Sequence, residues 1–367
     1  MMRLASVINA FDTDLLAQYG SRLNTDQRRA LAAMKRCRNQ ASLKMQVRCD
    51  DCEHQVYVPH SCGNRHCPHC QHHESEQWLA RQRARQLPAE YFLLTFTLPA
   101  EFRPLWQAHQ NVLYDLLMRA AWDTVRTFSE NDKQLRGTPG AIAVLHTHTR
   151  RLDYHPHVHL VMPAGAVDAV RKRWNTKRAP GAKGGYLFSH KALAKVFRAK
   201  ILAGIAHAGL ALPVRHPVCW VVDCKSVGSG DKALVYLGRY LYRGVIAEKN
   251  IVAVNDGQVS FRYQNAKTRK MEVRTISGAH FLWLVLQHVL PKGFRRARNF
   301  GILHSNCKRL IALLHIVLKC LPPRNTAVLR KRSSIACPCC GAAMSIVQTR
   351  LRRPPSPIVA KADTTTM

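Results

Sequence analysis

Acidic residues are scarce in this chain. Only 22 Asp and Glu stand against 56 Lys and Arg among 367 residues, a formal net charge of +34. Such self-repulsion opposes a compact fold unless a polyanion neutralises it. Nucleic acid is the partner this implies, since its phosphates release counterions on binding. Charge alone does not separate an enzyme from a purely structural basic protein. Long apolar runs are also missing. The best, "LIALLHIVL" from Leu310 to Leu318, is short and broken by His315, so no membrane span is expected. The first twenty residues carry Asp12 and Asp14 and lack the apolar core of a signal peptide. No internal repeat is evident. The expectation is a soluble, cytoplasmic protein whose 13 cysteines stay reduced. Under reducing conditions a Cys-x2-Cys spacing points to metal.

The length and a hydrophobic content of 47% allow two or three domains with cores. Residues 1–36 read as helical, with Asn24 or Thr25 as a cap. "ESEQWLARQRARQL" reads as a helix ending at Pro88, and "YFLLTFTLP" as a strand. An amphipathic helix is expected over 101–129. "GAIAVLHTHTR" and "HPHVHLVMP" read as two strands turning around Arg151 to Asp153. Residues 171–190 are basic and Gly-rich and read as a loop, followed by a helix over 190–209. "HPVCWVVDCK" is a strand candidate. "GDKALVYLGRYLYRG" has helical period and stops at Gly244, and "IVAVNDGQVSFRY" carries a hairpin signal. Eleven Lys and Arg and no acid lie between residues 290 and 332.

Cysteines crowd one segment as Cys49-x2-Cys52-x9-Cys62-x4-Cys67-x2-Cys70. A knuckle lets two thiolates reach one tetrahedral zinc from a tight turn, and two knuckles complete a four-sulfur site. The spacing therefore predicts one structural Zn²⁺ on Cys49, Cys52, Cys67 and Cys70. Cys37, Cys62, His60 and His66 are left for a second site or for packing. Cys337 and Cys340 of "CPCCG" repeat the knuckle with no second knuckle beside them. That pattern reads as vestigial or completed by a partner.

In "YHPHVHLVMP" alternation puts His155, His157 and His159 on one strand face and Val158 and Leu160 on the other. Residues i and i+2 are roughly 7 Å apart and i and i+4 about 13 Å, so one ion takes an adjacent pair and needs a further ligand. His146 on the preceding strand is the candidate, lying across from His157 if the turn centres near Arg151 and Leu152. In "YLGRYLYR" Tyr236 and Tyr240 share a helix face one turn apart, while Tyr242 points elsewhere. Arg239 and Arg243 flank them. A tyrosine can attack a phosphodiester and hold the DNA covalently, and a neighbouring metal can stabilise the charge that develops.

These motifs together resemble the rolling-circle transposases of the insertion-sequence 91 type, the two-tyrosine HUH enzymes. The resemblance rests on "CDDC…HSCGNRHCPHCQ", "HPHVHLV", "YLGRYLYRG", "HVLPKGFRRARNFGIL" and "CPCCG". It implies an α+β fold, with an HUH-type antiparallel sheet backed by helices and a small N-terminal zinc-binding domain. Residues 1–90 would be that helical and zinc-binding domain and 91–310 the catalytic domain. Residues 311–350 would be a basic C-terminal region with one knuckle, and 351–367 a disordered tail. The resemblance implies His157 and His159 as the metal pair, with His155 in support and Mg²⁺ or Mn²⁺ as the catalytic ion. It implies Tyr236 and Tyr240 as nucleophiles that nick one strand, take its 5′ phosphate and free a 3′ hydroxyl. The partner would be DNA, as single-stranded element ends and target, at the nucleoid. Arg239, Arg243, Lys292, Arg295, Arg296 and Arg298 are the expected DNA contacts. The rivals are a replication initiator or relaxase with the same chemistry, and a non-catalytic zinc-bearing nucleic-acid binder. Binding alone needs neither the tyrosine pair nor the histidine strand.

Overall fold

The structure, a computed structural model, describes residues 2–39, 42–70, 72–177, 187–242, 244–320 and 335–351. Two helices open the chain, α1 (Leu4–Tyr19) and α2 (Thr25–Lys35). Leu4, Val7, Ile8, Phe11 and Leu15 recur at helical spacing on α1 and are buried. Asn24 caps α2. Its side chain accepts from the Gln27 amide, and the Gln27 side chain accepts from the Asn24 amide, both at 2.9 Å. A hairpin of β1 (Lys44–Cys49) and β2 (Gln55–Pro59) follows, then α3 (His72–Arg83).

The middle of the chain builds the main sheet. Its elements are β3 (Tyr91–Thr97), α4 (Arg103–Ala108), α5 (Gln110–Asn131), β4 (Thr138–His148), β5 (Tyr154–Pro163), β6 (Gly165–Asp168), β7 (Arg173–Thr176), α6 (His190–His207), β8 (Val222–Ser226) and α7 (Asp231–Tyr242). A three-stranded sheet of β9 (Ile251–Asn255), β10 (Gln258–Gln264) and β11 (Met271–Ser277) comes next, then α8 (Gly278–Leu286), β12 (Ala297–Gly301) and α9 (Lys308–Val317). The turn between β9 and β10 uses Asp256 at φ 49° and Gly257 at φ 72°, the two left-handed residues that a tight hairpin turn requires. The last strands are β13 (Ile335–Ala336) and β14 (Ala343–Leu351).

Among the described residues the main sheet has seven strands in the order β7-β6-β4-β5-β3-β8, with β12 also beside β4. Every pairing in it is antiparallel. Its faces differ because strand side chains alternate. Ala141, Ala143 and Leu145 of β4 and Val158, Leu160 and Met162 of β5 are buried in one core with Leu113 and Leu117 of α5 and Phe197 and Ile201 of α6. Each such Leu or Phe contributes about 2 kcal/mol by leaving water. Ile142, Val144 and Val161 point the other way, into a core with Trp78 of α3, Leu234, Leu237 and Leu241 of α7, and Ile311 and Leu314 of α9. His146, His157 and His159 are in phase with this second set. The sheet therefore aims its imidazoles at the helix that carries the tyrosines.

The N-terminal helices share a core with α8 and the three-stranded sheet, where Phe11 and Leu15 join Phe261, Phe281 and Leu282. Gly278 lets α8 approach α1, since a Cβ there would stand 2.2 Å from the Phe11 ring. A four-stranded sheet runs β13-β14-β1-β2 and joins both ends of the chain. The fold is thus α+β, with antiparallel sheets backed by helices, as expected. Within the expected loop over 171–190, Arg173–Thr176 form β7. Residues 178–186, Arg243 and the tail from 352 lie outside the described residues. The strand expected in "HPVCWVVDCK" is confined to its end, because only from Val222 does the chain pair with β3. Among the described residues no helix is long and apolar enough to cross a membrane.

Candidate active site

The turn after β4 sets the register of the site. Leu152 adopts φ 71°, and His146 lies opposite His157, with Val144 opposite His159. That is the pairing expected from a turn near Arg151. The donor nitrogens of His146, His157 and His159 all lie within 4.8 Å of one another. Two of the rings are oriented by their Nδ1 atoms. His157 Nδ1 donates to the His155 carbonyl at 2.7 Å, and His159 Nδ1 hydrogen-bonds the Thr95 hydroxyl at 3.0 Å. Such partners leave Nε2 free to ligate. His146 Nε2 is buried with no hydrogen-bond partner among the described residues, an arrangement that a cation would satisfy.

Burial keeps these imidazoles neutral, the form that binds metal. It pushes His157 down to about 4 and His159 to about 3, with neighbouring His157 adding to the latter. His146 falls well below the usual histidine range, first through burial and then through His159 and His157. His155 stands apart and accepts from Arg103 Nη2 at 3.1 Å. The three donors therefore fit a divalent cation, within the range that imidazole serves.

Helix α7 brings Tyr236 and Tyr240 to this cluster. Their surroundings are unlike. Tyr236 is 47% exposed, its ring 5.8 Å from that of His159 and 6.0 Å from that of His146. Its hydroxyl has no hydrogen-bond partner among the described residues. Tyr240 stacks on His146 at an interplanar angle of 7°. Its hydroxyl meets His148 Nδ1 at 2.8 Å and accepts from the Thr147 amide at 3.3 Å. The Arg296 guanidinium covers its ring at 4.7 Å. Burial raises the Tyr240 phenol to about 12 despite the opposing pull of Arg296, and raises Tyr236 as well. His148 was missed from the sequence. The signal was there, since "HTH" on β4 repeats the alternation of "HVH" on β5.

The cysteines group otherwise than their spacing suggested. The two knuckles do not face a common point. Cys67 and Cys70 join Cys37 and Cys62, and Cys49 and Cys52 join Cys337 and Cys340. The single site on Cys49, Cys52, Cys67 and Cys70 is thereby corrected. The hairpin β1–β2 carries the first knuckle to β14, while the loop before α3 folds the second back onto the end of α2. Sulfur separations in the first group are 3.4 Å for Cys37–Cys70, 3.6 Å for Cys37–Cys67 and 3.7 Å for Cys62–Cys70. Four sulfurs at about 2.3 Å from one tetrahedral zinc stand about 3.8 Å apart. His60 and His66 stay outside both groups. His66 is a packing residue whose Nε2 accepts from the Leu290 amide at 3.2 Å.

Residues 140–310 match the family described as "Putative transposase", and residues 7–98 match "Transposase zinc-binding domain". The chain is 32% identical over 324 residues to a putative transposase of Sinorhizobium fredii, across 82% of this chain and 80% of that one. It is 30% identical over 299 residues to the transposase for insertion sequence element IS801 of Pseudomonas savastanoi pv. phaseolicola, across 75% of this chain and 69% of that one. No solved structure matches it. The chain belongs to the insertion-sequence 91 family of transposases.

The basic residues of this transposase divide by their engagements. Lys292, Arg295 and Arg239 are exposed. Arg296 is turned inward, donating through Nε to the Leu145 carbonyl at 3.1 Å as well as covering Tyr240. Arg298 pairs with Asp115 and lies over the Phe294 ring. Beside them a cavity of about 350 Å³ is lined by Arg65, Trp78, Phe294, Arg295 and Arg296.

Proposed function

We propose that this transposase nicks and rejoins single-stranded DNA at its element ends through a 5′-phosphotyrosine intermediate, which drives rolling-circle transposition. One observation carries the reading. A single helix face presents two tyrosines, one turn apart, to three imidazoles on adjacent strands. The attacking tyrosine oxygen bonds to phosphorus and the bond to the 3′ oxygen breaks. The tyrosine gives up its proton and the 3′ oxygen gains one. A diester remains throughout, so its bond energy is kept for the reverse attack by a 3′ hydroxyl.

His146, His157 and His159 would hold the catalytic divalent ion, Mg²⁺ or Mn²⁺. When bound, it withdraws charge from the non-bridging oxygens of the scissile phosphate. The other side chains position the strand. Arg239, Lys292 and Arg295 meet the phosphate backbone. Phe294, Arg65 and Arg295 of the adjoining cavity offer the stacking and charge that an unpaired base requires. Tyr236, exposed and with no hydroxyl partner among the described residues, makes the first cut. Tyr240 leaves its contacts with His148 and Thr147 to take the second strand. Cys37, Cys62, Cys67 and Cys70 hold the structural zinc of the N-terminal region.

The test is incubation with labelled single-stranded DNA from an element end and Mn²⁺ or Mg²⁺. A denaturation-resistant adduct should form, and mass spectrometry should find the nucleotide on Tyr236. An adduct on serine, or cleavage that leaves no protein on the DNA, would refute the mechanism.

A further inference from the structure

The four-stranded sheet is built from two copies of one local device. In each, a strand enters a Cys-x2-Cys turn and a second strand leaves it. The Cys49 amide donates to the His54 carbonyl at 2.9 Å, and the Cys337 amide to the Ala342 carbonyl at 2.7 Å, both five residues on. Each turn places its fifth residue in the left-handed region, Glu53 at φ 59° and Gly341 at φ 76°. The same backbone geometry thus recurs at two points almost 290 residues apart, as 337 and 49 differ by 288.

Strand pairing brings the two turns together. β14 runs antiparallel to β1, with Val47 opposite Ile346 and Cys49 opposite Met344. Cys49 Sγ then lies 3.4 Å from Cys340 Sγ, and Cys52 Sγ 3.5 Å from Cys337 Sγ. All four sulfurs are within 4.8 Å of one another. A disulfide would unite only two of them. A tetrahedral thiolate site needs four, about 3.8 Å apart.

The packing shows why a staple is needed. Among the described residues the buried core of this unit is Met45, Val47, Cys49, Cys337 and Met344, with Val56, Val58, Ile335 and Ala342 partly buried against it. So few apolar side chains do not hold two hairpins together in water. Across the join, the Ser345 hydroxyl donates to Asp50 at 2.6 Å, which adds little at an exposed position. A metal bound by thiolates from both hairpins supplies the missing free energy.

We propose that Cys49, Cys52, Cys337 and Cys340 hold a second Zn²⁺, which closes a ribbon made from the two ends of the chain. The segment matched by the zinc-binding family stops at residue 98, so half of this site comes from outside it. The site exists only in a chain that reaches Cys340. The ion also closes a long loop, Cys49 and Cys340 being 291 positions apart, which restricts the unfolded chain.

Elemental analysis of the purified full-length protein tests this. Two zinc ions per chain are expected. Cys337→Ser/Cys340→Ser should retain one, and so should Cys49→Ser/Cys52→Ser. Joining those four substitutions should still leave one, because both pairs serve the same ion. Cys340→His, which keeps a zinc ligand, should retain two. The unsubstituted protein loaded with Co²⁺ should show two tetrahedral, all-thiolate cobalt spectra, a readout that does not depend on any variant folding. One zinc in the full-length protein, or two in Cys337→Ser/Cys340→Ser, would overturn the proposal. So would loss of both ions when the four substitutions are joined and the protein remains folded.

Discussion

The histidine sheet and the cysteine region pose the same problem and solve it differently. Both bring together, from separated stretches, side chains that could hold a metal ion. In the sheet, pairing between neighbouring strands does the work, so His146 meets His157 across one turn. In the cysteine region the partners are set by how whole segments pack. Cys49 ignores Cys67, 18 positions on, and meets Cys340, 291 positions away. Proximity in sequence predicts contact where a regular element imposes the geometry. It fails where the pairing strand lies far along the chain, as β14 does from β1.

The tyrosine pair probes the histidine side most severely. Tyr236→Phe/Tyr240→Phe should form no covalent DNA adduct at all. Tyr236→Phe alone should lose nearly all first cleavage. Tyr240→Phe should still nick once and fail at strand transfer. Tyr242→Phe should behave as the parent. Quantifying adduct and transfer products separately on denaturing gels checks this, and equal defects in both single variants would erase the asymmetry between the two hydroxyls.

Next in size is the metal cluster. His157→Ala should lower cleavage at least about 100-fold while DNA affinity changes little. A parallel loss of binding and cleavage would make the strand structural.

On the cysteine side, Cys62→Ser/Cys70→Ser should lose one zinc and loosen the N-terminal region. Limited proteolysis should then cut between α2 and α3. Protection equal to that of the parent would mean that the first sulfur group bears no ion needed for folding.

A smaller effect concerns pH. His288 is 1% exposed and donates through Nε2 to the Leu152 carbonyl, 3.0 Å away. Burial pushes it down to about 4. The unfolded chain takes up a proton near pH 6.5 and the folded one does not until about pH 4. Stability from this group is therefore complete above pH 6.5 and falls as pH drops towards 4, by up to about 3 kcal/mol. The melting temperature of His288→Gln should depend less steeply on pH across that window than that of the parent. An identical slope would remove His288 from the account.

The smallest effect separates two adjacent arginines. Arg295→Ala should reduce the dependence of log affinity on log salt by about one unit. Arg296→Ala should leave that slope alone and impair transfer through Tyr240, since its guanidinium is spent on Leu145 and the Tyr240 ring. Matching salt slopes for both variants would mean that Arg296 also reaches phosphate.

Charge, the Cys-x2-Cys turns, the alternating histidines and the Tyr-x3-Tyr spacing are all local properties, and the sequence by itself determined them. A two-residue period makes a strand face, a four-residue interval makes a helix face, and a capping box at Asn24 starts a helix wherever the helix goes. From these follows the likeness to two-tyrosine transposases, and that resemblance implied the α+β class and the roles of the candidate site residues. Tertiary structure decided the rest. It set which knuckle meets which, because β14 pairs with β1 and puts Met344 opposite Cys49, 295 positions away in the chain. It separated Arg295 from Arg296, whose different surroundings are invisible in a basic run. It also left Tyr236 open and packed Tyr240 against His146 and His148. Those outcomes depend on contacts between residues far apart in the chain, and no local period encodes such contacts.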